Sequence, residues 1–254
     1  MSATTTTFKA MMEGMARARI GTGSTISDEI KFILADALSN AMQTCWEMPA
    51  GQSWVWPWTV TTNSAATLTN GAIPYADLDY CRWFAVYSAD PRGSTSTAYP
   101  IPAYADGDGI HPMDSTLSTY FVFYIPRAPE YTSTLPVVAT AYATDDIVYD
   151  DTSRSGGTGH CFRCVAGYTS SAVNATLTTE LATTSIWQEQ KCYKNFQDAA
   201  TQLAFAQWLE TKREFQEARI KAEDGMNELE QQFKAVRRQP RYGISPYYAT
   251  GTWR

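Results

Sequence analysis

The sequence predicts an α+β protein: a helical module built from both ends of the chain, with a long C-terminal helix, carrying a large inserted β-rich domain of sandwich or barrel type. Three observations predict it. Apolar residues recur at helical spacing from Ile30 to Trp46. From Gln52 to Ser185 the chain holds no lysine and is rich in Thr, Ser, Tyr, Val and Gly, the composition of strands and turns. From Asn195 to Val236 it turns to Glu, Lys, Arg and Gln over a long apolar stripe.

Each element follows in order. Phe8 to Ile20 has helical composition, with Met11, Met12, Met15 and Ala16, and Gly21-Thr22-Gly23 breaks it. Ser27 is placed to cap a second helix, and Asp28 and Glu29 suit the positive end of its dipole. Its apolar face runs through Ile30, Ile33, Leu34, Ala37, Leu38, Ala41, Met42, Cys45 and Trp46, and Pro49-Ala50-Gly51 ends it. Candidate strands are 54–62, 81–87, 119–125, 147–149 and 161–165, separated by turns such as Asp106-Gly107-Asp108-Gly109. In the C-terminal helix, Phe215, Ala218, Ala222, Met226, Leu229, Phe233 and Val236 form a stripe suited to packing within the subunit or against another copy. Gly225 is its weak point, costing about 1 kcal/mol relative to Ala if exposed. The boundaries that follow are 1–50 for the N-terminal helices, 51–185 for the β-rich insertion, 186–238 for the C-terminal helix and 239–254 for an extended tail.

The 254 residues are 44% hydrophobic and 13% aromatic, enough apolar surface for a folded core. A net charge of −6 argues against capture of DNA or RNA through their phosphates. No apolar run reaches the ~20 residues that span a bilayer, and the Ser/Thr-rich start is unlike a signal peptide, so a soluble, unsecreted chain is expected. Cys45, Cys81, Cys161, Cys164 and Cys192 are odd in number and scattered, which fits a reducing compartment.

Signatures of chemistry are sparse. His111 and His160 are the two histidines, neither lies in a Gly-x-Ser-x-Gly setting, and no phosphate-cradling glycine loop is present, so no catalytic residue and no cofactor are expected. The pairs Asp106/Asp108, Asp145/Asp146 and Asp150/Asp151 have the composition of a calcium or glycosidase site, but aspartate in a turn more often bonds the local backbone. Cys161-Phe162-Arg163-Cys164 can place two thiolates on one zinc, with His160, Cys81 or Cys192 completing a tetrahedron. A second ligand pair is missing, so buried packing is favoured and no metal is expected. Trp54, Trp56, Trp58 and Trp83 suit either a core anchor or a sugar-stacking platform.

Four stretches carry a resemblance. They are Met42–Trp58, with Met-Gln-Thr-Cys-Trp-Glu followed by Trp-Val-Trp-Pro-Trp, then Arg82–Arg92 and Tyr120–Thr132, and last Trp187–Leu229 with Ala199-Ala200, Ala206-Gln207-Trp208-Leu209 and Ala222-Glu223. In this order they resemble the head-to-tail adaptor proteins of tailed bacteriophages and related particles. The resemblance implies a non-enzymatic virion protein of the neck, assembled in the host cytoplasm. It would form a homo-oligomeric ring of about twelve copies docked beneath the portal protein, meet downstream tail proteins, and pass DNA through its lumen without reading sequence. The chain departs from the family in its large β region. In such proteins the C-terminal tail reaches into the portal. Here that tail is basic and aromatic, and Arg237, Arg238, Arg241, Tyr242, Tyr247, Tyr248 and Trp253 are its candidate docking residues. The alternatives are another neck or tail-completion component, a carbohydrate-binding virion decoration, and a glycan-cleaving tail enzyme using the paired aspartates.

Overall fold

A computed structural model describes residues 5–17, 26–48, 56, 59–75, 78, 80–92, 97–153, 156–172 and 177–237. In chain order these form β1 (Thr5–Thr6), α1 (Phe8–Met15), α2 (Asp28–Glu47), β2 (Thr61–Ala66), β3 (Ile73–Pro74), β4 (Tyr80–Tyr87), β5 (Pro100–Ile101), β6 (Ala103–Ala105), β7 (Gly109–Pro112) and β8 (Tyr120–Pro126). There follow β9 (Ala141–Tyr142), β10 (Ile147–Tyr149), β11 (Cys161–Cys164), β12 (Tyr168–Thr169), α3 (Leu177–Leu181), β13 (Trp187–Gln190), β14 (Cys192–Tyr193), α4 (Gln197–Thr211) and α5 (Phe215–Arg237). The strand pairings are antiparallel, so the class is mixed α+β.

The chain divides into two compact units. One is continuous through 49–128, and the other joins 2–48 to 129–237. The β-rich stretch is thus divided at Ala128, where the sequence reading took 51–185 as a single insertion. The reason is physical: 129–193 is bonded to the N-terminal helices. Tyr131 N–H donates to Ser39 Oγ of α2 at 2.8 Å. Phe8 of α1 stacks on Tyr131 at 5.2 Å and meets Tyr149 of β10 edge-on at 5.3 Å. Lys9 N–H donates to the Gly159 carbonyl at 3.1 Å, and β1 pairs with β14.

In this helix-bearing unit Ser27 caps α2 as the sequence predicts, and Thr7, which the sequence reading did not name, caps α1. Thr7 Oγ1 accepts from Ala10 N–H at 3.1 Å at the start of α1, and Ser27 Oγ accepts from Ile30 N–H at 3.4 Å at the start of α2. Helix α2 buries Leu34, Ala37, Leu38, Ala41, Met42, Cys45 and Trp46, while Ile30 and Ile33 are half-buried. Trp46 meets Tyr193 and Phe196 at the start of α4. The sheet β10-β11-β13 packs Val148, Phe162, Cys164 and Trp187 with Leu181 of α3 into its own cluster.

The predicted single long helix over 195–236 is instead a hairpin of α4 and α5. The chain turns at Lys212-Arg213-Glu214, where Glu214 N–H returns to the Leu209 carbonyl at 3.0 Å and Arg213 takes φ +64°. A left-handed arginine costs about 1 kcal/mol, and packing of α5 along α4 offsets it. The seam of α5 also differs from the predicted stripe. Ala218, Gly225, Leu229 and Phe233 are buried, whereas Phe215 and Met226 are exposed. Gly225 is the point of closest approach: a Cβ there would stand 2.8 Å from Leu203 Cγ and 3.2 Å from the Ala199 carbonyl oxygen. It is a packing residue, not a weak point.

The 49–128 unit holds two antiparallel sheets, ordered β2-β8-β4-β5 and β3-β7-β6. Both contribute to one core of Ala66, Ile73, Leu78, Val86, Ile101, Ile110, Tyr120, Val122 and Tyr124. Alternation along β8 sends Phe121 and Phe123 to the opposite face, where Arg92 lies 5.3 and 5.4 Å from their ring centroids. Asp90 holds the guanidinium through two 2.9 Å bonds, which depress the Asp90 pKa.

Candidate functional site

The helical hairpin leaves large apolar side chains in solvent. Phe215 is 65% exposed and Ile220 51%, and both line one shallow depression of about 610 Å³ with Arg213, Glu214, Gln216 and Glu217. Elsewhere on the same unit Phe32 of α2 is 63% exposed. Elsewhere on α5, where Met226 is also exposed, ion pairs join Arg219 to Glu223 at 3.0 Å and Lys234 to Glu230 at 3.3 Å. Such pairs stabilise a helix by a few tenths of a kcal/mol each, and they leave Phe215 and Ile220 as apolar islands in a charged surface.

The candidate docking residues fall elsewhere. Arg237 closes α5, and Arg238, Arg241, Tyr242, Tyr247, Tyr248 and Trp253 lie outside the described residues.

The Cys-x-x-Cys pair does not converge on one point. Cys161 and Cys164 are three apart on β11, so their side chains leave opposite faces of the sheet. Cys161 Sγ donates to the Thr132 carbonyl at 3.5 Å, and Cys164 Sγ to the Ala166 carbonyl at 3.1 Å within the Trp187 cluster. Burial pushes the Cys161 thiol well above its usual range and the Cys45 and Cys192 thiols to about 12. A thiol held protonated is neither nucleophile nor ready ligand. His160 Nδ1 lies 3.1 Å from Glu189 Oε1 on the neighbouring β13, and this partner lowers the Glu189 pKa. Among the described residues no group of three His, Cys, Asp or Glu side chains is gathered as a metal site.

The paired aspartates are turn residues. Asp106 Oδ1 accepts from Asp108 N–H at 2.9 Å and Gly109 N–H at 3.3 Å. Asp146 accepts from Ala143 N–H at 2.7 Å, and buried Asp150 accepts from both the N–H and the hydroxyl of Thr158 at 2.9 Å. Trp56 is fully buried, as a core anchor would be, and Trp54, Trp58 and the side chain of Trp83 lie outside the described residues. Arg163 is buried on the Cys161 face of β11 and donates to Gln190 Oε1 at 2.9 Å, an internal tie that the sequence does not announce.

One surface was not singled out from the sequence. Tyr104 and His111, paired across β6 and β7, stack beside the Asp106 turn, Tyr104 exposed and His111 half-buried beneath it. Its signal was there in Asp-Gly-Asp-Gly flanked by Tyr104 and His111, but the pairing register that brings the rings together is a tertiary fact. No described helix is long and apolar enough to cross a membrane. No protein-family model, curated protein or solved structure matches the chain.

Proposed function

We propose that this protein is a structural component of a phage-like virion, a head-to-tail adaptor that assembles as a ring beneath the portal and forms part of a DNA conduit. The observation that carries the reading is the pairing of the two chain ends in one helix-bearing unit, whose outer helices keep Phe32, Phe215 and Ile220 in solvent. Exposed aromatic and branched side chains on a rigid hairpin are what a contact between copies uses as anchors. The order of the four resembling stretches supports the same reading. A net charge of −6 per chain, repeated around a ring, gives a surface that repels phosphates and lets DNA slide. Among the described residues Asp106 and Asp146 accept from local backbone N–H groups, and Cys161 and Cys164 leave opposite faces of β11.

In this reading the tail from 239 to 254 reaches the portal, with Arg237, Arg238 and Arg241 meeting acidic groups and Tyr242, Tyr247, Tyr248 and Trp253 filling pockets. Deleting 240–254 tests it. The truncated chain should melt within about 1 °C of the full chain, because no residue of the described core is removed, and should fail to assemble onto portal-bearing heads. Undiminished decoration of heads by the truncated chain overturns the docking role.

A further inference from the structure

The outer face of the β3-β7-β6 sheet has the composition of a small carbohydrate platform. Ile110 and Ala103 turn inward to the core, so their neighbours Tyr104 and His111 turn outward. The two rings stack with centroids 4.9 Å apart and planes 6° from parallel, and Tyr104 remains 51% exposed. His111 covers one face of the phenol ring and leaves the other to solvent. Two residues beyond His111, Met113 is 70% exposed, with its N–H tied to the Pro102 carbonyl at 2.8 Å. The polar edge is Asp106, whose carboxylate lies 3.0 Å from His111 Nε2.

The turn that presents this edge is held in advance. Asp106 N–H donates to the Gly109 carbonyl at 3.1 Å, and the Tyr75 hydroxyl donates to the Asp106 carbonyl. Gly109 has φ +157°, and a Cβ there would collide with the Ile73 carbonyl, so the turn accepts no larger residue. Backbone and histidine bonds depress the Asp106 pKa, so the carboxylate is an acceptor throughout the neutral range. Preordering of this kind reduces the entropy lost on binding.

We propose that Tyr104 binds a neutral hexopyranose, the sugar laying its apolar C–H face on the side of Tyr104 away from His111, while Asp106 holds His111 and through it the stacked phenol ring in place. The chemistry selects this class. A preordered aromatic face with a solvent-exposed rim fits a ring that has one apolar face and hydroxyls around its edge. Asp106, Asp108 and Asp114 gather negative charge along this part of the chain, which disfavours phosphates, uronic acids and acidic peptides. The proposal stands apart from the adaptor reading, since it concerns the 49–128 unit and needs no portal.

The test is saturation-transfer NMR on the full chain with maltotetraose, cellotetraose and mannotetraose as probes. Transfer to ring C–H protons of at least one probe is expected. Tyr104→Ala should weaken that probe by about tenfold or more, and Tyr104→Phe, which keeps the stack, should retain binding within about twofold. A thermal melt of each variant separates loss of the site from loss of the fold. Absence of transfer for all three probes, or equal binding by a folded Tyr104→Ala variant, overturns the proposal. Absence of transfer joined to poor incorporation of Tyr104→Ala into particles would assign the face to a protein partner and overturn it equally.

Discussion

Replacing Gly225 by alanine sets helix propensity against packing, and the structure decides the sign. At an exposed helix position the change gains about 1 kcal/mol. Here the new methyl would stand 2.8 Å from Leu203 Cγ, 3.1 Å from Leu203 Cδ2 and 3.2 Å from the Ala199 carbonyl oxygen. The nearest atom is a branch carbon and another is backbone, so neither moves freely, and α4 and α5 must separate or Leu203 must change rotamer. Overpacking of this kind costs roughly 1–3 kcal/mol. Taking about 2 for the clash and 1 for propensity, Gly225→Ala should destabilise by about 1 kcal/mol, roughly 2–4 °C in Tm. Urea unfolding measures it. With Leu203→Ala in the background the side-chain part of the clash is gone and only the tight approach to the Ala199 carbonyl remains, so the double-mutant cycle should show coupling of about 1–2 kcal/mol. Asn227→Ala, on the exposed side of the same helix, should instead stabilise by a few tenths of a kcal/mol. If Gly225→Ala stabilises by the full propensity gain and shows no coupling to Leu203, the packing described for the hairpin is wrong.

Three further outcomes follow from the fold and the site. Limited proteolysis between the two compact units should release a fragment close to 49–128 while 2–48 and 129–237 elute together, and separation of the latter two pieces would contradict their common core. Cys45, Cys161, Cys164 and Cys192 should not react with a thiol reagent at pH 8 until urea is added, and elemental analysis should find no stoichiometric zinc; a metal lost in Cys161→Ser would refute the opposite-face geometry. Glu189, whose folded pKa lies below its ordinary value through His160, contributes stability above the unfolded carboxyl pKa and loses it as pH falls through the folded one, so Glu189→Gln should flatten the acid limb of Tm against pH below about 4.5.

Legibility varied with how local each signal was. The caps Thr7 and Ser27 act within three residues, and Ser27 was readable from its place before Asp28-Glu29. The strands at 81–87, 119–125, 147–149 and 161–165 were found to within one or two residues because their apolar and aromatic runs are dense. The short strands β5, β6, β9 and β12 have no such density and exist through pairing. The break at Lys212-Arg213-Glu214 was hidden, since it contains neither glycine nor proline and Arg213 is held left-handed by the hairpin around it. The seam of α5 was misread for the same cause: Gly225 carries no hydrophobic signal, yet its small size lets α4 approach. At the candidate platform, Tyr104 and His111 are seven residues apart in sequence and meet only through the β6–β7 register.

Negative-stain imaging of the purified full chain, alone and mixed with the portal of the same particle, decides whether the chain assembles as a ring. Closed rings of about twelve copies seated on the portal, with a continuous axial channel, are expected. Chains that remain monomeric in the presence of portal, with portal particles unchanged in outline, would contradict it.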